Sequence, residues 1–153
     1  MATVEEIEAK FTSLLANLSL ASQKKLGRNI GRRLAQSQRN RIAEQKNPDG
    51  TPFTPRKQQK NLRNKKGRIK RKAMFAKLKT ARFLKAKTNA NQVNIGFFGS
   101  IAAIAEIHQY GLEGQVHRKR NYKVKYAQRE LLGFTEQDIE MIERLVIEQL
   151  GLY

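Results

Sequence analysis

The chain has 153 residues, a net charge of +18 and no cysteine, which together indicate one basic domain and exclude disulfides and thiolate metal sites. Its longest apolar run, near residues 101–107, is far too short to cross a bilayer, and residues 1–20 lack the basic start and apolar stretch of a signal peptide. We therefore expect a soluble cytoplasmic protein that makes no membrane contact, folded as a single domain over residues 1–153.

The positive charge is concentrated in one part of the chain. Residues 21–88 contain 23 Lys/Arg and only two acidic residues, whereas residues 1–20 carry a net charge of −2 and residues 89–153 a net charge of −1. A segment this basic repels itself unless an anionic surface lies beside it. The candidate surfaces are nucleic acid, an acidic protein and an anionic membrane.

Two amphipathic helices are predicted in the N-terminal part, residues 1–45. Apolar residues three or four apart indicate the first helix, and acidic residues in its first turn suit the helix dipole. Its apolar row consists of Val4, Ile7, Phe11, Leu14, Leu15 and Leu18. After a polar break at residues 19–22, a second helix is indicated by the row Leu26, Ile30, Leu34, Ser37 and Ile42. Its arginines, expected mostly on the other faces, are Arg28, Arg32, Arg33, Arg39 and Arg41. The turn Asn47-Pro48-Asp49-Gly50 is expected to stop this helix.

A turn and a basic arm are predicted for residues 46–72. The turn leads into an extended, proline-rich phrase with one aromatic anchor, Phe53. Residues 56–72 contain ten Lys/Arg in 17 positions, so too little apolar surface is available to offset the entropy lost on ordering. We expect a mobile arm that binds a polyanion or an acidic partner. The candidate binding residues are Arg56, Lys57, Lys60, Arg63, Lys65, Lys66, Arg68, Lys70, Arg71 and Lys72.

A sheet and a C-terminal helix are predicted for residues 73–153. The segment opens with a short helix, indicated by Met74, Phe75 and Leu78. Two strand-like runs, residues 83–88 and 93–98, are joined by a short polar turn and predict a hairpin.

Ser100 is expected to cap a further helix that is rich in small residues and closes at Gly111. Its alanines would allow close packing against the sheet. Between Gln115 and Tyr126 the sequence favours a strand pair or an extended excursion, with three basic residues at its tip.

Thr135 is expected to cap the last helix, with Asp138 in a capping-box relation and Gly151 at the end. Its apolar face is expected to pack within the subunit, with docking of a partner as the alternative. This face consists of Ile139, Ile142, Leu145, Val146 and Leu150. The predicted fold class is α+β: a small antiparallel sheet flanked by N-terminal and C-terminal helices, with a basic mobile arm.

Catalytic chemistry finds little support. The two histidines, His108 and His117, form no i, i+4 pair and lie beside no carboxylate cluster. The sequence also lacks a nucleophile-elbow serine, a glycine-rich phosphate loop and the acidic pairs of a two-metal nuclease. We predict no catalytic residue, no metal site and no cofactor, so the protein is not expected to be an enzyme. His108 is expected to be a helix-end residue whose polar atoms are satisfied locally.

Several phrases in a fixed order resemble the phage virion morphogenesis family, the tail completion proteins of contractile-tailed phages and prophages. These phrases are Asn47-Pro48-Asp49-Gly50-Thr51-Pro52-Phe53 with Pro55-Arg56-Lys57, Ala81-Arg82-Phe83-Leu84, Gly96-Phe97, His108-Gln109-Tyr110-Gly111, and Arg129 with Leu131-Leu132-Gly133. Two positions depart from the pattern, since Phe53 stands where Trp is common and Ala127 where a Pro usually follows the Tyr.

The resemblance implies a structural role, which is to complete the tail and prepare its head-proximal end to join a DNA-filled head. Proteins of this joint generally form rings, so the implied state is a homo-oligomer, with a hexamer matching the six-fold tail. The implied partners are tail tube, tail terminator or head-completion proteins, with DNA contact in the neck. The implied location is the host cytoplasm during assembly and the virion afterwards.

The phrase from His108 to Gly111 has a structural and a functional interpretation. In the first, Gly111 stops a helix in the left-handed conformation and Tyr110 covers the sheet. In the second, Tyr110 and Arg129 contact the next subunit of a ring. The full candidate set for an interface or structural motif is His108, Gln109, Tyr110, Gly111, Arg129, Leu131 and Leu132.

Two rival functions are weighed against the assembly role. One is a non-specific nucleic-acid-binding protein that acts through the basic arm alone, binding duplex DNA without reading sequence. Stacking on single strands is not favoured, because no aromatic residue lies between Phe53 and Phe75. The other rival is a small nuclease or another enzyme of phage DNA metabolism.

Overall fold

The structure is a computed structural model, and it describes residues 3–16, 18–56, 73–89, 92–115, 119 and 121–151. Within these residues the helices are α1 Val4–Leu15, α2 Leu20–Ala43, α3 Ala102–Tyr110 and α4 Glu136–Gln149. The strands are β1 Leu84–Thr88, β2 Val93–Phe97, β3 Glu113–Gln115 and β4 Lys123–Lys125. They pair as two separate antiparallel ladders, β1 with β2 and β3 with β4. The predicted α+β class is confirmed, with two small sheets in place of one.

Helix α2 differs from its prediction at both ends. It begins at Leu20, inside the expected polar break, because the Ser19 side chain accepts a hydrogen bond from the Ser22 backbone N–H and caps the first turn. It ends at Ala43 and not at the Asn47 turn. The chain reverses at Gln45, which has a positive φ of 59°. The Gln45 carbonyl then accepts the Phe53 N–H at 2.7 Å, and this reversal brings the aromatic anchor back to the core.

The β1–β2 hairpin lies across α2. Its register pairs Leu84 with Phe97 and Thr88 with Val93, as the predicted strands require. The hairpin approaches α2 closely at Gly31, which has no side chain. A Cβ added to Gly31 would lie only 3.0 Å from the Cβ of Ala86. The predicted hairpin is confirmed, and a glycine in α2 provides the surface on which it packs.

The predicted helix at Met74, Phe75 and Leu78 is wrong. The chain forms successive turns there, and Phe75 has a positive φ of 65°, which a helix cannot contain. Met74 and Leu78 are nevertheless buried. The apolar spacing therefore predicted the burial of these side chains correctly but the backbone conformation wrongly. The backbone of Met74 bonds to the side chain of Gln45, which replaces the hydrogen bonds of a helix.

Ser100 does not cap α3. The cap position is held by Ile101 without a side-chain hydrogen bond, and the Ala102 N–H bonds instead to the carbonyl of Gly99. The predicted stop at Gly111 is confirmed, because this residue adopts the left-handed conformation with φ 64° and ψ 48°.

A strand pair is present after α3 as β3 and β4, but β3 ends at Gln115, where the predicted range begins. Residues 116–118 and 120 of the predicted tip lie outside the described residues. The capping box of α4 is confirmed as well, with Thr135 and Asp138 each accepting the other's backbone N–H. Asp138 also accepts the hydroxyl of Ser37 and so links α4 to α2. Gly151 follows the helix with a positive φ of 68°.

Two apolar clusters form the core. The larger joins α2, the turns, the hairpin, α3 and the segment before α4, and consists of Ile42, Phe53, Met74, Leu78, Leu84, Phe97, Ala105 and Leu131. The smaller lies between α2 and α4 and consists of Leu26, Leu145 and Val146. The predicted anchor Phe53 is 4% exposed, and the apolar face of α4 packs within the subunit as expected.

Candidate polyanion and partner-binding site

The predicted basic arm, residues 56–72, is called the basic segment below. Arg56 is described and exposed. The other nine candidate residues lie outside the described residues: Lys57, Lys60, Arg63, Lys65, Lys66, Arg68, Lys70, Arg71 and Lys72. The structure therefore describes the subunit up to the points where this segment leaves and returns.

Both of those points are fixed to the core by side-chain hydrogen bonds. Before the segment, Arg129 donates through Nε to the Thr54 carbonyl at 2.7 Å and through Nη2 to the Pro55 carbonyl at 3.2 Å. After it, the Gln45 amide donates to the Met74 carbonyl at 2.9 Å and accepts the Met74 N–H at 2.7 Å. The described residues on both sides of the segment, called its base below, are therefore held to the core.

A row of ring contacts joins the two sides of this base. Phe53 and Phe75 meet edge to face with ring centroids 5.8 Å apart. Phe75 in turn contacts His108 at 4.9 Å, and His108 contacts Tyr126 at 5.0 Å. Edge-to-face pairs of this kind add stability beyond the apolar area that they bury. The base is thus built from four parts of the chain that are distant in sequence.

His108 is not satisfied locally, contrary to expectation. Its Nδ1 atom is buried and has no hydrogen-bond partner among the described residues. Burial, together with the positive charges of Arg129 and Arg56, lowers the pKa of His108 to about 4. The ring is therefore neutral near pH 7 and acts as a packing residue between Phe75 and Tyr126.

The structure brings most of the predicted interface motif together inside the subunit. Gln109 pairs with the backbone of Leu132, donating to its carbonyl and accepting its N–H, both at 2.9 Å. The Arg129 N–H bonds to the His108 carbonyl at 2.8 Å, and Leu131 is fully buried. Arg129 is only 6% exposed, so its side chain has a structural role in the base.

Tyr110 and Gly111 have different surroundings. A Cβ on Gly111 would lie 3.0 Å from the backbone nitrogen of Gln128. The glycine that ends α3 therefore also allows the backbone at Gln128 to pass close to the helix end. Tyr110 does not cover the sheet as expected, because 64% of it is exposed. It borders a shallow hollow of about 290 Å³ that Phe97 and Leu132 also line. Of the motif, Tyr110 is the residue best placed to contact a partner.

Sequence reasoning missed a buried polar network centred on Arg41. Arg41 donates through Nη1 to the carbonyls of Lys46 and Glu130, each at 2.9 Å, and through Nη2 to the Leu131 carbonyl at 2.8 Å and the Gln38 side chain at 2.6 Å. Burial lowers the pKa of Arg41, and the charges of Asp138 and Glu130 oppose that shift. Placing Arg41 on an outer face of the helix was wrong. Gln38 and Arg41 follow Leu34 at helical spacing, which is the signal that could have located them.

Sequence reasoning also missed a basic hollow between α2 and β1, called the arginine groove below. It has a volume of about 250 Å³ and is lined by Arg28, Arg32, Ala35, Arg39, Ala86 and Thr88. Arg28 and Arg32 are exposed, whereas Arg39 is half-buried and donates to the Leu84 carbonyl at 2.9 Å. The groove is the described surface on which positive charge is most clearly organised.

A sequence profile of the phage virion morphogenesis family matches residues 2–151. The chain belongs to this family. It is also 43% identical over 147 residues to tail completion protein S of Escherichia phage P2, across 95% of this chain and 96% of the P2 protein. No solved structure matches the chain. The resemblance recognised in the ordered phrases is confirmed, and family membership supports a role in virion assembly.

The described residues contain neither a metal-ligand cluster nor a membrane-spanning helix. No group of three or more His, Asp or Glu in this part of the chain could hold a metal ion. No helix among the same residues is both long and apolar enough to cross a membrane. His117 lies outside the described residues.

Proposed function

We propose that this protein completes the phage tail and joins it to the head, acting as a subunit of a ring at the head-proximal end of the tail. The observation that carries the proposal is the identity of 43% with the P2 tail completion protein over nearly the full length of both chains. The role requires no catalysis, and we propose that the protein is not an enzyme. It would assemble in the host cytoplasm and remain in the virion, at the tail or neck.

The basic segment is proposed to act on a polyanion at this joint. Its two ends are held to the core by Arg129 and by Gln45, so each subunit would present the segment from the same position. In a ring, the copies would surround the lumen or the upper rim with positive charge. That charge would face DNA entering the neck or the acidic surface of a neighbouring protein.

Tyr110 is proposed to contact the neighbouring subunit or another tail protein. An exposed aromatic residue beside an apolar hollow is typical of the anchors that dominate protein interfaces. The expected partners are a second copy of this chain, the tail tube, the tail terminator or a head-completion protein. Mass measurement on purified tails should give a fixed copy number, six for a hexamer. A single copy, or a number that varies between preparations, would contradict the ring.

The test of the basic segment is charge reversal. Lys65, Lys66, Arg68, Lys70 and Arg71 are changed to Glu in a phage that supplies no other copy. We expect normal circular dichroism and melting of the purified variant, together with full-length tails that fail to join heads. Electron microscopy of lysates and titration of infectious particles give the measurement.

A matched control reverses five exposed basic residues elsewhere, namely Lys24, Arg33, Lys77, Lys85 and Arg144. It changes the net charge equally and should join tails to heads far better than the first variant. Normal titres from the first variant would show that the charges of the basic segment serve solubility and not assembly. The rival role as a general nucleic-acid-binding protein predicts a different result, in which DNA binding is lost while tails and heads still join.

A further inference from the structure

The arginine groove has the organisation of a binding site separate from the basic segment. Arg28, Arg32, Ala35 and Arg39 are spaced by four, three and four residues, which places them on one face of α2. The outermost two arginines are about 16 Å apart along the helix axis. Ala86 and Thr88 of β1 form the opposite wall. Three guanidinium groups therefore follow one straight, open hollow.

No carboxylate balances this charge within the described part of the chain. Helix α2 contains seven Lys/Arg and no acidic residue, and none of the groove-lining residues is acidic. The ion pairs Lys10–Glu143 and Lys46–Glu44 both lie away from the groove. Like charges four residues apart on a helix repel each other. The row of arginines is therefore unfavourable on its own and would be relieved by a bound anion.

Arg39 is already positioned for such a ligand. Its Nη2 is held by the Leu84 carbonyl at 2.9 Å, which fixes the guanidinium against β1. Its Nε is buried and has no acceptor among the described residues. A guanidinium fork binds phosphate oxygens with matching geometry, and a group that is held in advance loses less freedom on binding. The groove thus combines one ordered arginine with two exposed ones.

The lining favours nucleic acid over an acidic protein. The core of a protein interface is usually built on aromatic or large apolar residues, whereas the apolar residues among the described lining are only Ala35 and Ala86. Single-stranded nucleic acid is disfavoured for a related reason, since the described lining contains no aromatic residue that could stack on bases. Phosphates follow one another every 3.4 Å of axis on each strand of a duplex, so several would lie along the row of arginines.

We propose that the arginine groove binds the phosphodiester backbone of duplex DNA without reading its sequence. Arg28 and Arg32 contact phosphates directly, and Arg39 forms the ordered end of the site. The inference does not depend on a ring or on a role at the tail, because it concerns the isolated subunit.

The test measures binding to a 30-base-pair duplex by fluorescence anisotropy, at salt concentrations between about 50 and 200 mM. It compares the full-length protein with its Arg28→Gln/Arg32→Gln variant. A plot of log affinity against log salt has a negative slope, and each lost phosphate contact makes it about 0.9 less steep. The steepness should therefore fall by about 1.8 when both contacts are lost. The basic segment is intact in both proteins and contributes equally to both. Arg28→Lys/Arg32→Lys keeps the charges and should restore most of the slope.

The matched control is Arg33→Gln/Arg144→Gln, which removes two exposed charges outside the groove and should leave the slope within about 0.5 of the unmodified value. Equal losses in the two double variants would overturn the proposal, since only net charge would then count. Absence of duplex binding by the unmodified protein would also overturn it. So would a groove variant that binds DNA normally but fails to join tails to heads, because that result assigns the groove to an acidic protein partner.

Discussion

Arginines on two faces of α2 have opposite surroundings. Arg41 is buried, and its donors bond to three backbone carbonyls and to Gln38. Arg28 and Arg32, on the groove face of the same helix, are exposed and pair with no carboxylate within the described residues. The same side chain therefore holds the fold together on one face and remains available for a ligand on the other.

The difference follows from which groups lie opposite each face. Arg41 faces two irregular chain segments, at residue 46 and at residues 130–131. The carbonyls of these segments have no partner in a helix or strand and need donors. Opposite the groove arginines is β1, whose backbone is largely paired with β2. An arginine is retained in the interior where orphan acceptors surround it, and it stays at the surface where they are absent.

The largest effect is expected from Arg41→Leu. The change removes the donor of one buried and two partly buried carbonyls and should lower the free energy of unfolding by about 3–5 kcal/mol. Urea denaturation measures it, with Arg33→Gln on the exposed side of α2 as the control, expected within about 0.5 kcal/mol of the unmodified protein. A loss near that of the control would show that the carbonyls find other donors and that the two faces differ less than their contacts indicate.

His108 offers a second contrast between a buried and a solvated charge. Its Nδ1 atom is buried and has no hydrogen-bond partner among the described residues, so the charged form of the ring is disfavoured in the folded protein. Its pKa falls from 6.5 in the unfolded chain to about 4 in the folded protein. Between these values only the unfolded chain binds the proton, so stability is present above pH 6.5 and is lost as the pH falls towards 4. The loss should be roughly 2 kcal/mol, allowing for partial exposure.

The matched variant for this prediction is His108→Phe, which keeps a ring between Phe75 and Tyr126 and cannot titrate. The free energy of unfolding, measured by urea from pH 7 to pH 4, should fall less steeply in the variant. Carboxylates titrate equally in both proteins, so the difference isolates His108. Parallel curves for the two proteins would mean that the ring is protonated as easily in the folded state as in the unfolded chain.

A smaller effect distinguishes two glycines of α2. Ala normally stabilises a helix interior by about 0.5–1 kcal/mol relative to Gly. Gly27→Ala should show that gain, since its Cβ would meet Val93 at an ordinary 3.5 Å. Gly31→Ala should instead lose about 1 kcal/mol, because its Cβ would lie 3.0 Å from Ala86 and press the hairpin off the helix. Thermal melting of the two variants provides the comparison, and a gain at Gly31 would show that the hairpin adjusts.

The smallest effect is expected at the groove itself. Arg28→Gln/Arg32→Gln removes a repulsive i, i+4 pair and no core contact, so stability should change by less than about 0.5 kcal/mol, in the stabilising direction. The same urea titrations measure it. A loss above about 1 kcal/mol would make these arginines structural, and the contrast between the two faces of α2 would disappear.

Local signals predicted the local parts of this fold well. The capping box at Thr135 and the left-handed stop at Gly111 depend on residues within four positions of each other, and both are present. The hairpin register depends on two adjacent runs, and it is also present. The turns that begin at Met74 were mispredicted because the backbone of Met74 bonds to Gln45, which lies 29 residues earlier.

The candidate site divides along the same line. The concentration of basic residues before residue 88 and the family phrases were readable directly, because charge and order are properties of the chain itself. The base that holds the basic segment was not readable, since Arg129 bonds to carbonyls 74 and 75 residues away. The exposure of Tyr110 depended likewise on where the other elements pack.

The sequence by itself determined the fold class, the anchoring role of Phe53 and the family, because each depends on residue type, spacing or order. Only the tertiary structure decided which arginines are internal. Arg41, Arg129 and Arg28 are chemically identical, and what separates them is whether distant segments bring unpaired carbonyls within reach of the guanidinium. That choice depends on how the chain folds back on itself, because helical spacing can mark the inner face of α2 but does not bring the acceptors to it.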